Sequence, residues 1–213
     1  MSLLKKEDRE FLENKFEREL ESNVRIILFK KKSECESCET AEQLIEEVSS
    51  TSTRLIKEVY DIDEDADLAS RWRVDKVPAI LLFGEREYGV RFFGLPSGYE
   101  FSTFIEDIVD ISRNTSRLTP KTKEVVKKID RPVHIQVFVT PSCPYCPRVV
   151  RLAHQFAIEN TLITGDMIEA LEFQELSNRY NVLAVPKIII NDQIFFEGAV
   201  PETLFLQQVL KAL

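Results

Sequence analysis

The chain has 213 residues, which suits two α/β domains of roughly 100 residues each. Its formal net charge of −8 argues against non-specific nucleic-acid binding, and no apolar run approaches the roughly 18 residues of a membrane span. Residues 1–20 lack the apolar region of a secretory signal, so we expect a cytoplasmic protein with no membrane association. A charged fraction of 30%, with only two Met and four Cys, is typical of a thermophile.

The first half of the chain alternates between helical and strand patterns. Apolar residues at helical spacing predict an amphipathic helix over residues 5–21. Further along we predict a strand over 24–29, a helix from Cys35 to about Val48, a strand over 55–61, a short helix over 66–72, a hairpin of strands 78–83 and 88–93, and a helix over 100–112.

The second half repeats this order after a linker over residues 113–118. Thr119 as N-cap and Pro120 at the first helical position predict a helix to about Ile129. There follow a strand over 133–139, a helix over 144–158, a strand over 162–168, a helix over 171–180, a hairpin over 187–196 and a helix over 201–213. We predict two α/β units, 1–117 and 118–213, each with a central mixed sheet flanked by helices.

The two halves also share a motif and its spacing. Each has a CxxC sequence after an apolar strand, Cys35-Glu36-Ser37-Cys38 and Cys143-Pro144-Tyr145-Cys146. Each has a Val-Pro pair before a later apolar strand, Val77-Pro78 and Val185-Pro186, and the proline follows the first cysteine of its half by 43 residues in both cases. This agreement indicates an internal duplication.

A CxxC between a strand and a helix places two thiols at a helix N-terminus. Unpaired N–H groups and the helix dipole favour negative charge there, which lowers the pKa of a thiol. We expect Cys143 to be the exposed, attacking thiolate and Cys146 to resolve the mixed disulfide. The alternatives are inert thiols or zinc ligands. The two pairs could supply four thiolates to one zinc, but the separation of about 100 residues and the helix after each pair argue against this structural module.

Paired CxxC and Val-Pro motifs resemble the thioredoxin/glutaredoxin superfamily. Two such units in one chain, the second with CPYC, are similar to the glutaredoxin-like protein disulfide oxidoreductases of hyperthermophilic archaea and bacteria. The resemblance implies two redox-active disulfides, Cys35–Cys38 and Cys143–Cys146, that exchange electrons with client proteins by reduction, oxidation and isomerisation. It also implies recycling by a thioredoxin-reductase-like flavoenzyme, and the cysteines serve as the redox group without a bound cofactor.

The resemblance further implies a cis-proline loop in each unit, opposite the cysteines. Pro78 and Pro186 would be the cis-prolines, and the preceding Val77 and Val185 would offer backbone groups to an extended substrate. The alternative is an ordinary trans-proline at the start of a strand.

The first CxxC has a more acidic surrounding than the second. Glu34, Glu36 and Glu39 disfavour a thiolate at Cys35, and Lys30-Lys31-Lys32 offsets them only in part. We interpret the CPYC pair as the dominant site and the CESC pair as secondary. Two alternatives are that the sites are equivalent, or that the first is a stabilising disulfide.

Two related enzymatic functions remain open. CPYC is also compatible with a glutathione-dependent glutaredoxin, but residues 191–199 lack the paired-glycine and acidic signature that familiar glutaredoxins carry there. The second is the reductant of a peroxiredoxin, which changes the client and leaves the chemistry the same.

Overall fold

A computed structural model describes residues 2–213, and its first half follows the predicted order of elements. The elements are α1 (Lys6–Glu19), β1 (Val24–Lys30), α2 (Cys38–Ser49), β2 (Leu55–Asp61), α3 (Ala66–Arg71), β3 (Ala79–Phe83), β4 (Glu87–Phe93) and α4 (Glu100–Ser112). Apolar β-branched and aromatic runs form the strands, as their propensity favours.

The second half adds a short helix and then repeats the same order. Its elements are α5 (Pro120–Val126), β5 (Val133–Val139), α6 (Cys146–Glu159), β6 (Ile163–Glu169), α7 (Gln174–Arg179), β7 (Lys187–Ile190), β8 (Ile194–Glu197) and α8 (Glu202–Lys211). The predicted start of α5 is confirmed, because the Thr119 side chain accepts a hydrogen bond from the Thr122 N–H.

Both CxxC helices begin later than predicted. In α2 the Ala41 N–H donates to Ser37 O (2.8 Å), so the first helical turn starts around Cys38 and not at Cys35. Before α6 the Cys143 N–H donates to Thr140 O in a separate turn, and the helix begins at Cys146. The first cysteine of each motif therefore lies in a loop, and the second is the first helical residue.

One mixed sheet runs through both halves, in the strand order β2-β1-β3-β4-β6-β5-β7-β8. In each half the first strand pairs in parallel with the second and antiparallel with the third, and the third pairs antiparallel with the fourth. The α/β fold with flanking helices is confirmed. The separate sheets predicted for the two units are one continuous sheet, because β4 pairs in parallel with β6. The unit boundary after residue 117 stays a prediction.

The β4–β6 pair, which we call the seam, has a closely packed glycine on each strand. A Cβ atom on Gly89 of β4 would lie 2.3 Å from the carbonyl oxygen of Ile163. A Cβ atom on Gly165 of β6 would lie 2.9 Å from the carbonyl oxygen of Ala153 on α6. Both distances are shorter than van der Waals contact. A side chain at position 89 would push the two halves apart, whereas one at position 165 would push α6 away from β6 within the second half.

The core on the α4 and α6 side of the sheet is continuous across the seam. Phe92 of β4 packs edge-to-face on Phe104 of α4 and on His154 of α6, with ring centroids 5.5 and 4.8 Å apart, and all three residues are fully buried. A smaller apolar cluster lies on the other face beneath α3 and α7. No helix within residues 2–213 has both the length and the apolar surface that crossing a bilayer requires.

Candidate active sites

The second CxxC lies between the end of β5 and the start of α6. Cys143 and Cys146 form a disulfide with a Cα–Cα distance of 5.6 Å. Cys146 is fully buried and Cys143 is only 8% exposed, so our expectation of an exposed Cys143 is wrong for this oxidised form. The physical reason is the neighbouring loop, which brings the carbonyl oxygen of Val185 to 3.8 Å from the Cys143 sulfur.

The Val185 loop contains a cis peptide bond to Pro186, as the family resemblance implies. The Gly198 N–H donates to Pro186 O (2.9 Å), which ties this loop to the turn before α8. In the first half, the Val77–Pro78 bond is likewise cis, and the Gly94 N–H donates to Pro78 O at the same distance of 2.9 Å. The two halves therefore build the same loop beside their cysteines.

The first CxxC is more open than the second. Cys35 and Cys38 form a disulfide with a Cα–Cα distance of 5.4 Å; Cys38 is buried and Cys35 is partly exposed. Cys35 lines a cavity of about 710 Å³, which we call the first-site groove. Val77 lines it from the first half, and Pro141 and Glu172 line it from the second.

Glu172, in the loop between β6 and α7, connects the second half to the first CxxC. Its carboxylate accepts a hydrogen bond from the Leu95 N–H (2.7 Å) and another from the Ser37 hydroxyl, which lies between the two cysteines. The Glu172 N–H in turn donates to the Glu169 carboxylate (2.6 Å). Gly94 permits this approach, since a Cβ atom there would lie 2.6 Å from the Cβ atom of Glu169. Local sequence patterns carry no signal for this contact between halves.

Comparison with known proteins agrees with these features. The family model of the thioredoxin domain matches residues 133–211, from β5 to the end of α8. The crystal structure of a protein disulfide oxidoreductase from Aeropyrum pernix is 34% identical, with a TM-score of 0.90 over 96% of this chain and 91% of that one. The chain belongs to this family of protein disulfide oxidoreductases.

The curated relatives that this chain matches are larger proteins. The alkyl hydroperoxide reductase protein AhpF of Staphylococcus aureus is 31% identical over 112 residues, which are 53% of this chain and 22% of that protein. The chain spans about a quarter of the length of the curated relatives that it matches first, at 28% and 22%. The structure of AhpF from Enterococcus faecalis, at 21% identity, shares the fold, with a TM-score of 0.89 over 97% of this chain and 99% of that chain.

The two sites of the oxidoreductase differ in what covers them. Ser37 is held by Glu172, whereas Tyr145, at the equivalent position of the second CxxC, is 67% exposed. Gly94 is in contact with Glu169 and Glu172, whereas its counterpart Gly198 has no atom within 4 Å of a built Cβ. The second half thus covers one side of the first site, whereas the corresponding positions of the second site, Tyr145 and Gly198, are open.

Buried charges lie between α4 and α6. Asp107 Oδ2 is 2.5 Å from His154 Nδ1, and Arg151 pairs with both Asp107 and Asp110. His154 is thus a buried hydrogen-bonding residue. These partners neutralise one another inside a low-dielectric core, where an unpaired charge would be costly.

Glu100, the first residue of α4, is buried and unpaired. Neither of its carboxylate oxygens has a hydrogen-bond partner within residues 2–213, and burial raises the pKa of Glu100 to about 7. The neighbouring Tyr99 N–H donates to Pro141 O (3.1 Å), so this end of α4 lies next to the loop that carries the second CxxC. No sequence pattern marks Glu100, because its burial depends on tertiary packing.

The described residues contain no group of three or more His, Cys, Asp or Glu that could hold a metal ion. The four cysteines are instead paired as two disulfides, one in each half. A four-cysteine zinc module therefore finds no support in the arrangement of the side chains.

Proposed function

We propose that the oxidoreductase exchanges disulfides with client proteins and that Cys143–Cys146 is its main reaction centre. The observation that carries this proposal is the position of the Cys143 sulfur, 3.8 Å from Val185 O and beside cis-Pro186. Free backbone groups next to a reactive sulfur allow an extended client segment to bind in β-strand fashion, with its cysteine presented to the site. Val77 and Pro78 would serve a client at the first site in the same way.

In the reducing direction, the Cys143 thiolate attacks one sulfur of the client disulfide. The client S–S bond breaks, and its other sulfur leaves as a thiolate that takes up a proton. Cys146, once deprotonated, attacks the Cys143 sulfur and forms the intramolecular disulfide. The second client thiol is released, and two electrons have passed from the oxidoreductase to the client. The reverse sequence oxidises a client dithiol.

Local charge favours the second CxxC as the main reaction centre, whereas exposure of the first cysteine favours the first CxxC. Cys35 is more exposed than Cys143, but carboxylates of Glu34, Glu169 and Glu172 line its groove. Nearby negative charge disfavours a thiolate, and the thiolate is the nucleophile. We therefore assign the dominant role to the CPYC pair and a secondary role to the CESC pair.

The experiment is reduction of insulin disulfides with dithiothreitol as electron donor. Wild type is compared with Cys143→Ser and Cys35→Ser, and circular dichroism verifies that each variant is folded. Loss of activity in Cys143→Ser, with a smaller loss in Cys35→Ser, supports the assignment. Equal dependence on both cysteines would indicate a relay between the sites, and an inactive wild type would overturn the proposal.

A second candidate partner is a peroxiredoxin-type protein. The similarity to the alkyl hydroperoxide reductase protein AhpF supports a role in passing electrons toward a hydroperoxide-reducing enzyme. In this scheme a thioredoxin-reductase-like flavoenzyme reduces the chain, and its CxxC pairs reduce the peroxiredoxin. Pyridine-nucleotide oxidation in a mixture of flavoenzyme, chain, peroxiredoxin and hydroperoxide tests it. Consumption that needs the chain and is lost in Cys143→Ser supports this partner, whereas consumption independent of the chain contradicts it.

A further inference from the structure

We infer that a cavity over the seam binds a small anion that carries a phosphate group. This seam cavity has a volume of about 370 Å³ and is lined by strands and loops of both halves. It opens on the sheet face away from α4 and α6, and none of the four cysteines lines it. Ligand pockets commonly measure about 300–1,000 Å³, so its size suits a phosphorylated small molecule and excludes a folded partner.

The floor of the seam cavity is a buried ion-pair network. Arg91 of β4 donates to both carboxylate oxygens of Asp166 on β6, at 2.7 and 2.8 Å, and His134 Nε2 lies 2.6 Å from Asp166. A second group of Arg91 donors reaches the carbonyl oxygens of Trp72 and Arg73. Because Asp166 is fully engaged by two basic side chains, the floor presents no uncompensated negative charge to a ligand.

The walls supply two arginines that form no ion pair among the described residues, and the Arg179 guanidinium lies over the ring of Tyr180, 5.5 Å from its centroid. Arg73 comes from the first half and Arg179 from the second, and neither forms an ion pair with any residue from 2 to 213. Lys76 is paired with Asp75. The remaining carboxylate, Asp192, accepts a hydrogen bond from the Tyr180 hydroxyl (2.5 Å). The cavity is thus net basic on a chain whose overall charge is −8.

The backbone at Arg73 gives an independent reason to assign a function. Arg73 follows the end of α3 with φ of +54°, a position where glycine or asparagine is favoured. Its counterpart at the end of α7 is Asn181, with φ of +53°. The second half therefore has the favoured residue at this position, and the first half has an arginine in a strained conformation. An arginine kept in this conformation, where asparagine stands in the other half, supports a role for its side chain.

Two arginines that line the cavity, one from each half, suit a phosphate-bearing ligand. Each guanidinium can donate two parallel hydrogen bonds to the oxygens of a phosphate or carboxylate. A tetrahedral phosphate group presents oxygens in several directions, so it can accept hydrogen bonds from more than one arginine. A carboxylate presents its two oxygens in a single plane, so it offers fewer directions for hydrogen bonds than a phosphate does. The site is independent of the redox chemistry, and its binding can be measured with both disulfides intact.

The test is isothermal titration of the oxidised protein with pyrophosphate and with inorganic phosphate, against sodium chloride at equal ionic strength. We expect saturable binding to the wild type, and a rise in Kd of about ten-fold or more in Arg73→Asn and in Arg179→Gln, since each removes a charge-assisted pair. Arg18→Gln, on an exposed face of α1, is the matched control and should bind as the wild type does. Arg73→Asn should melt at the same temperature or higher without the anion, because asparagine suits the backbone, so weaker binding cannot result from misfolding.

Several outcomes would overturn the proposal. Heat indistinguishable from that of sodium chloride would show that the cavity does not bind phosphate groups. Unchanged affinity in both Arg73→Asn and Arg179→Gln would place any binding elsewhere. A titration with citrate in place of pyrophosphate distinguishes a carboxylate ligand from a phosphate ligand. Citrate binding of equal strength would contradict the preference for phosphate.

Discussion

The carboxylate of Glu172 accepts a hydrogen bond from the hydroxyl of Ser37, so a residue of the second half holds the segment between the cysteines of the first site. The same carboxylate accepts the Leu95 N–H at 2.7 Å and thereby also holds the turn after β4. The first site consequently takes its surroundings from both halves of the chain, although its cysteines and its cis-proline loop belong to one.

Substituting Glu172 tests whether this contact tunes the first site. Glu172→Gln removes a negative charge beside the CxxC loop, which favours the Cys35 thiolate. In a Cys143→Ser/Cys146→Ser background, we expect alkylation of reduced Cys35 to be about 3-fold faster at neutral pH, a shift of about half a pKa unit. Glu175→Gln, an exposed glutamate on α7, is the control. An unchanged rate, with a profile against pH identical to that of the parent, would show that Glu172 only holds the loop.

From the raised pKa of Glu100 we predict how the stability of the protein depends on pH. Burial raises its folded pKa from 4.5 to about 7, so the folded state retains a proton that the unfolded state loses. Its contribution to stability is fully present below pH 4.5 and is lost as the pH rises through about 7. Between pH 4.5 and about 7, the free energy of unfolding should fall less in Glu100→Gln than in the wild type. The difference between the two falls should be on the order of 2–3 kcal/mol.

Urea unfolding at a series of pH values measures that slope. The exposed Glu124→Gln serves as control and should keep the wild-type slope. If Glu100→Gln also keeps it, then the Glu100 carboxyl ionises normally in the folded protein.

From the ion pair of Arg91 and Asp166 we predict how much the seam contributes to the free energy of unfolding. Asp166 is 1% exposed, so Arg91→Met leaves a buried carboxylate without its main partner. We expect a loss of about 3–5 kcal/mol in unfolding free energy, and recovery of most of it in Arg91→Met/Asp166→Leu, where neither charge remains. Chemical denaturation of the single and double variants measures both. A double variant no more stable than the single would mean that the seam depends on the charges themselves.

Alanine substitutions at two glycines distinguish the steric cost of an added side chain from the cost of backbone strain. Gly89→Ala places a Cβ atom 2.3 Å from Ile163 O, whereas Gly198→Ala meets no atom within 4 Å and costs only the strain of a φ of +87°. We expect Gly198→Ala to cost about 1 kcal/mol. Gly89→Ala should cost about 2 kcal/mol or more, because two strands must move apart. Thermal unfolding compares them, and equal losses would show that the seam tolerates a side chain.

The sequence alone predicted the features that depend on local chemistry. Apolar runs located the strands, and residues 55–61 and 133–139 agree with β2 and β5 at both ends. The matched spacing of CxxC and Val-Pro identified the duplication and both candidate sites. These signals are readable because propensity, capping and motif spacing act over short stretches of chain.

The tertiary structure alone determined how the two halves meet. Pairing of β4 with β6 joins the predicted sheets into one, and it creates both the Glu172 contact with Ser37 and the seam cavity. Tertiary packing also buries Glu100, which raises that residue's pKa. The physical reason is that strand-edge pairing and burial depend on the fit between segments more than 70 residues apart, such as Arg91 and Asp166. A local pattern specifies that an edge exists, and only packing specifies which edge it meets.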